Sequence, residues 1–360
     1  MKNNFFKMAC VGFATLSFVA CSDNDDSTGT NPQNATLQEV VSNTSNNVII
    51  ATYNDLNQKA IALNSVINQL ATTPNAANLQ AAKEAWVAAR APWEQTEGFL
   101  YGPVDSEGID PAMDTWPVDV EAMNNILNSS NAITVQTIEN NNEARGFHLI
   151  EFLLWGEAGN KTAEQLTVRQ LELLKAAATD LQNNTQKLYN GWIASGGNFV
   201  NNFLNPSPEV YPSYTAVLEE ITEGLIIIAD EVANGKIEDP LNPESSTPKP
   251  ELEESRFSNN SKLDFADNMR SIQNIYLGKY GTNGNGKGLT TLISAKNPAL
   301  DTKIKNAVTA AINAINAIPG TFTEAIYSNK SAVKDAQQKV RDLQTILQAE
   351  LKPFVVNNLQ

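Results

Sequence analysis

Between residues 37 and 354 one pattern dominates the chain: apolar residues recur three and four positions apart, the spacing that gathers them on one face of an α-helix. It runs over 37–70, 79–101, 144–155 and 166–193, and again over 213–233, 262–279, 300–318 and 331–354. Alternating runs of useful strand length are absent, so a sheet is not available to this sequence. Pro206, Pro208 and Pro212 fall between the two sets of four, and Pro298, Pro319 and Pro353 punctuate the second. The pattern predicts an all-α protein of two antiparallel helical bundles, a duplicated four-helix arrangement, with residues 36–203 in the first bundle and 206–360 in the second. A weak internal echo, Leu100-Tyr101-Gly102 against Ile275-Tyr276-Leu277-Gly278, helps only to place boundaries. Two connections, 102–117 and 235–261, are long enough that function or disorder is expected of them.

The amino-terminal residues set an address. Lys2 and Lys7 form a short basic head before the apolar run from Met8 to Ala20, which predicts a signal peptide over residues 1–20. That run is too short to cross about 30 Å of hydrocarbon. Phe18-Val19-Ala20-Cys21 resembles a lipobox, which makes Cys21 the lipid-bearing first residue of the mature chain and the membrane a partner through that anchor. Residues 21–35, polar and poor in apolar side chains, are expected to be a flexible tether. The acids Asp23, Asp25 and Asp26 resemble a surface-export signal and read equally as a solvated linker. The expected location is the outer membrane, on the cell surface or on the periplasmic face. Cys10 leaves with the signal peptide and Cys21 carries lipid, so packing without disulfides must stabilise the rest. Removing Lys2 and Lys7 leaves 23 basic residues against 40 acidic ones, a net charge near −17. Nucleic acid is thereby excluded as a partner, while cations are attracted.

The most informative segment is Gly146 to Gly156. Phe147, Leu149, Ile150, Phe152, Leu153, Leu154 and Trp155 surround this helix, so it should be buried together with His148 and Glu151. Three positions apart, those two side chains share a face and can converge on one ion or bond each other. A self-contained His–Glu pair that only fixes packing remains open. Upstream, Trp86, Arg90, Trp93, Glu97 and Tyr101 follow spacings of three and four, which predicts a single stripe on one helix, kinked at Pro92. Arg90 and Glu97 should then be half-buried charges, paired with each other or across to His148 and Glu151.

With Gly146 at its head, the motif Gly146-x-His148-x-x-Glu151 followed by Leu-Leu-Trp-Gly resembles the signature of the imelysin family. The stretch 86–102, the Asp110-Pro111 and Trp116-Pro117 pairs, and the segment from Ser255 to Gly278 resemble the family's pattern as well. The resemblance implies a two-domain helical envelope protein associated with bacterial iron acquisition, its Gly-x-His-x-x-Glu motif near the domain interface, with other iron-uptake envelope proteins as partners. The family name comes from an insulin-cleaving peptidase activity. His148 is the only histidine here, and Phe152 stands where an inverzincin has its second one, so a two-histidine zinc site cannot be assembled within one chain. Peptidase chemistry is disfavoured on that ground and no catalytic residue is assigned.

One histidine among carboxylates suits a harder or borderline ion, iron first, then manganese or calcium, and zinc least. The expected ligands are Glu97, His148 and Glu151, with Arg90 facing them. From the second half the resemblance adds Arg256, Ser258, Asp267 and Arg270 as ligand-facing residues, although Asp267 and Arg270 also read as a surface pair. The function that follows is an iron-uptake lipoprotein holding a metal ion or a small iron-bearing ligand at an interdomain site. A non-catalytic scaffold is the alternative. Gly281 to Lys287 nearly spells a phosphate-binding loop, but Gly288 replaces the required Ser or Thr, and a flexible turn is expected there.

Overall fold

The computed structural model describes residues 32–359. The signal peptide, Cys21 and most of the tether lie outside the described residues. Among the described residues no β-strand forms, only two isolated bridges, and every core-building element is a helix. The first of them, α1 (Pro32–Asn43), already covers the last residues assigned to the tether. It passes through a π-helical turn, Thr44–Ile49, into α2 (Ile50–Thr72). After these come α3 (Ala76–Glu94), α4 (Gly146–Trp155), α5 (Val168–Trp192), α6 (Tyr214–Glu231), α7 (Ser261–Leu277), α8 (Pro298–Asn316) and α9 (Lys330–Ile346). Among the described residues no helix is long and apolar enough to cross a membrane.

Local chemistry explains where these helices begin. Asn75 caps α3 by accepting from Asn78 N, Thr167 and Gln170 close a reciprocal box on α5, and Ser213 caps α6 by accepting from Ala216 N. α4 has no side-chain cap. Its stability comes instead from burial, since Phe147, Leu149, Ile150, Leu153 and Leu154 are fully enclosed, each contributing about 1.5–3 kcal/mol.

Packing sorts the helices. α2, α3, α4 and α5 contact one another, and α6, α7, α8 and α9 do the same. α3 also packs on α7, and the 3-10 turn Glu97–Phe99 sits between α6 and α7, where Gly98 N donates to Ser271 Oγ at 2.9 Å. α1 touches both halves: it packs on α6 and the Leu289–Lys296 helix and also on the short helix Asn201–Leu204. The Asn43 amide at its end donates to the carbonyls of Gly278 and Lys287. Those bonds brace the turn expected to be flexible around Gly281 to Gly288.

The stripe expected over 79–101 is shorter than its periodicity. α3 ends at Glu94, two residues after Pro92, and Thr96 closes it by donating its hydroxyl and its backbone N–H to the Trp93 carbonyl. Arg90 therefore stays on the helix while Glu97 is turned away from it. The two long connections hold short helices, Pro103–Ser106 and Ile109–Met113 in the first, Glu238–Leu241 and Pro250–Leu252 in the second. Both run to the same place, the exposed-to-buried boundary beside α3 and α4.

Candidate functional site

Arg90 is the centre of a buried ionic cluster. Its side chain is fully enclosed, with Nη2 2.5 Å from Glu94 Oε1 and 2.7 Å from Glu254 Oε1. Nη1 pairs with Asp114, and Nε lies 3.6 Å from Asp264 Oδ1. Burial works against the charge, but these four carboxylates outweigh it and raise the guanidinium's pKa well above its ordinary value. The expected partner Glu97 is not among them.

His148 stands one step away, on α4. Its Nδ1 is 3.0 Å from Glu151 Oε2, and its Nε2 is 3.1 Å from Asp114 Oδ1 and 3.9 Å from Glu254 Oε1. Nε2 is enclosed yet makes no hydrogen bond, so the Asp114 contact is an ion pair off the hydrogen-bonding line. Burial opposes protonation of the ring, and Asp114, Glu151 and Glu254 overcome it, raising the pKa well above that of an ordinary histidine. Glu151 is saturated: its other oxygen accepts from the Ser258 backbone N–H at 2.8 Å and the Ser258 hydroxyl at 2.7 Å. Trp116 covers the imidazole with ring centroids 4.7 Å apart, and Trp93 Nε1 donates to Asp114 Oδ2 at 2.6 Å.

Gly146 explains how Asp114 reaches this position. At φ +70° it opens α4, and a Cβ built there would lie 2.1 Å from the Met113 carbonyl oxygen. Only a residue without a side chain lets the 109–113 turn approach so closely and deliver Asp114 to the histidine.

The carboxylates divide into two electrostatic kinds. For Asp114 burial would raise the pKa, but Arg90 and His148 hold it well below the usual range. Lys236 and Arg90 likewise overcome burial at Glu254 and hold it down to about 2. Burial wins at Glu94 and Glu97, where Arg90 and Lys236, or Lys236 alone, offset it only in part. Asp264 is pushed up to about 7 by burial, with Arg90 too distant to reverse it.

Asp264 yields a sign that can be checked. Its folded-state value lies above its ordinary value of 3.8, so folding takes up a proton between about pH 4 and pH 7 and stability falls as the pH rises through that window. The loss is on the order of a few kcal/mol. Asp264→Asn should remove it: urea unfolding at pH 5 and pH 8 is expected to show the variant gaining on the parent at the higher pH. A pH-independent difference between the two would refute the assignment.

A cavity of about 310 Å3 opens beside the cluster, lined by Glu97, Asp110, Asp114, Glu231, Asp239 and Glu254, with Lys236 the only basic side chain among the described residues that line it. Two groups of side chains have ligand atoms within 4.8 Å of one another: Asp114, His148 and Glu254, and Glu94, Glu97 and Asp114. Oxygen donors with one imidazole suit iron(II) or manganese(II).

Of the residues expected from the sequence, Arg90, His148, Glu151 and Ser258 are brought together, and Glu97 joins through the cavity. Arg256, Asp267 and Arg270 are not. Arg256 pairs with Glu157 at 2.8 Å and lies over Phe257. Asp267 accepts from Gln95 Nε2 at 2.7 Å and Arg270 at 2.9 Å, tying the end of α3 to α7 away from the histidine. Asp114, Glu254 and Lys236 were missed. The signal that points to them is the length of the two connections, which carry all three.

Known proteins agree on the lineage. The Imelysin family profile matches residues 49–352. Iron-regulated protein A of Synechococcus elongatus is 32% identical over 355 residues, 97% of this chain and 92% of that protein. The crystal structure of a putative iron-regulated protein A precursor from Parabacteroides distasonis superposes with a TM-score of 0.79 at 26% identity, over 91% of this chain and 96% of that one. An imelysin-like protein from Psychrobacter arcticum, 13% identical, shares the fold with a TM-score of 0.74 over 91% and 97% of the two chains.

Proposed function

The chain belongs to the imelysin family, and from that premise we propose that it is an envelope-anchored binding protein of iron handling whose cargo is a divalent metal ion, held by His148, Asp114 and Glu254. The observation that carries the reading is the enclosed His148 Nε2, without a hydrogen bond and facing two carboxylates at the edge of an acidic cavity. The relatives named as iron-regulated supply the connection to iron. Glu151 takes the role of orienting carboxylate: it fixes the ring through Nδ1, and an ion entering at Nε2 displaces the ring's proton there. This differs from a set of Glu97, His148 and Glu151 by exchanging Glu151 and Glu97 for two residues from the connections. Glu151 is also tied to Ser258, which leaves it poorly placed as the base of a hydrolytic reaction. The lipid at Cys21 supplies the anchor.

The test is equilibrium dialysis of residues 22–360 against iron(II) under anaerobic conditions, and against manganese(II), calcium and zinc. One ion per chain is expected, lost in His148→Ala, Asp114→Asn and Glu254→Gln. Glu151→Gln should weaken binding about 10- to 100-fold, the usual effect of removing an orienting partner, and Asp267→Ala should leave it unchanged. A folded protein that retains no ion, or an Asp267→Ala variant as impaired as His148→Ala, defeats the proposal.

A further inference from the structure

The ammonium of Lys236 stands inside the carboxylate cluster, 3.0 Å from Glu254 Oε2, 3.6 Å from Glu94 Oε2 and 3.8 Å from Glu97 Oε2. Its side chain is 9% exposed. The backbone delivering it is the π-helical segment Val232–Lys236, a widened turn that continues α6 and breaks its regular ladder. Such widened turns inside helices are frequent at functional sites. On the outer wall of the same cavity stand two exposed carboxylates, Glu231 and Asp239.

We propose that Lys236 is the specificity-determining residue of the site, a tethered monovalent cation that a divalent ion must displace from Glu254 and that Na+ or K+ cannot. The inference rests on reading the cluster as a cation site. An ion held by Asp114, His148 and Glu254 uses the carboxylate that Lys236 already contacts. Two positive centres on one carboxylate in an enclosed, low-dielectric site repel strongly, so they compete for it. A divalent ion carries twice the charge of the ammonium and prevails. A free monovalent ion gains no more from the carboxylates than the ammonium does, and the ammonium has the advantage of its tether, which keeps it at high effective concentration. The displaced side chain has partners waiting, since Glu231 and Asp239 face the same cavity.

Manganese(II) titration of the parent and of Lys236→Met, read by equilibrium dialysis at constant ionic strength while tetramethylammonium is replaced by potassium, tests the idea. In the parent, potassium should leave manganese affinity unchanged. Lys236→Met is expected to bind manganese at least about tenfold more tightly in tetramethylammonium and to lose that advantage as potassium replaces it. Equal affinities, or no potassium effect in the variant, would overturn the role of Lys236 while leaving the cation reading intact. Binding by the variant alone would show that the ammonium shuts out divalent ions as well, overturning both the displacement and the cation reading for the native chain; binding by neither ends both. If Lys236→Met does not fold, mass-spectrometric mapping of amine acylation on the parent decides: manganese should speed labelling of Lys236, and unchanged or slower labelling counts against displacement.

Discussion

Arg90→Met should lower stability by at least about 3–5 kcal/mol at neutral pH, the range measured when one partner of a buried ion pair is removed. The parent's guanidinium compensates Glu94, Glu254, Asp114 and, more distantly, Asp264. Methionine fills the volume but supplies no charge, so these carboxylates would share only Lys236 and His148. For a domain of marginal stability, that is a large part of the total. The pH dependence makes the mechanism specific. Without Arg90, Glu94 and Asp264, already raised by burial, lose their largest counter-charge, and Asp114 and Glu254 keep only Lys236 and His148 to hold them down, so the variant should be most stable in acid and lose stability as pH rises from about 4 to 7. Arg90→Lys should fall between the two, because one ammonium cannot reproduce diverging Nη1 and Nη2 contacts. Urea unfolding from pH 4.5 to 8 measures all of this. A pH-independent loss below about 1 kcal/mol would mean that the cluster is solvated in a way its burial does not suggest.

The helices were legible because each buries a stripe, and a stripe leaves a period in the sequence. α5, α6, α7 and α8 begin and end within two residues of their apolar patterns. The stripe from Trp86 to Tyr101 misled because periodicity registers burial and is blind to where hydrogen bonding stops. Glu97 and Tyr101 are buried after the helix has ended, each by a different contact. Hence the expected Arg90–Glu97 pair gave way to Arg90–Glu94, one turn along the same helix.

The site itself was half legible. His148 and Glu151 could be named because an all-apolar helix makes any polar residue on it conspicuous, and Ser258 because a family resemblance covered it. Asp114, Glu254 and Lys236 come from irregular connections, where an acid or lysine has no periodic background against which to stand out. Their importance arises from pairings more than 20 residues apart in sequence, Arg90 with Asp114 and Glu254, and Lys236 with Glu94. Asp267 and Arg270 illustrate the converse. Two charges three apart on a buried helix do line an interface, but the interface they line joins α3 to α7 through Gln95, away from Asp114, His148 and Glu254.

Gly146→Ala is the substitution expected to disturb the site most without touching any charged group. Alanine at φ +70° carries a backbone cost of about 1–2 kcal/mol before any contact is considered. The larger effect is steric, since the new Cβ would fall 2.1 Å from the Met113 carbonyl oxygen, a backbone atom with no rotamer to yield. The 109–113 turn must retreat, and Asp114 with it, although Arg90, Trp93 and His148 all hold that carboxylate. Metal affinity should fall about 10- to 100-fold, as it does when the support of a ligand is lost, together with a total destabilisation of about 2–4 kcal/mol. Gly108→Ala is the control. It shares the positive φ, +61°, but a Cβ there meets nothing within 4 Å, so it should show the backbone cost alone. Thermal unfolding and a manganese titration followed by the fluorescence of Trp93 and Trp116 compare the two. Should Gly146→Ala prove no worse than Gly108→Ala in both measurements, the close approach of the two segments does not position Asp114, and the glycine of the motif serves the helix start only.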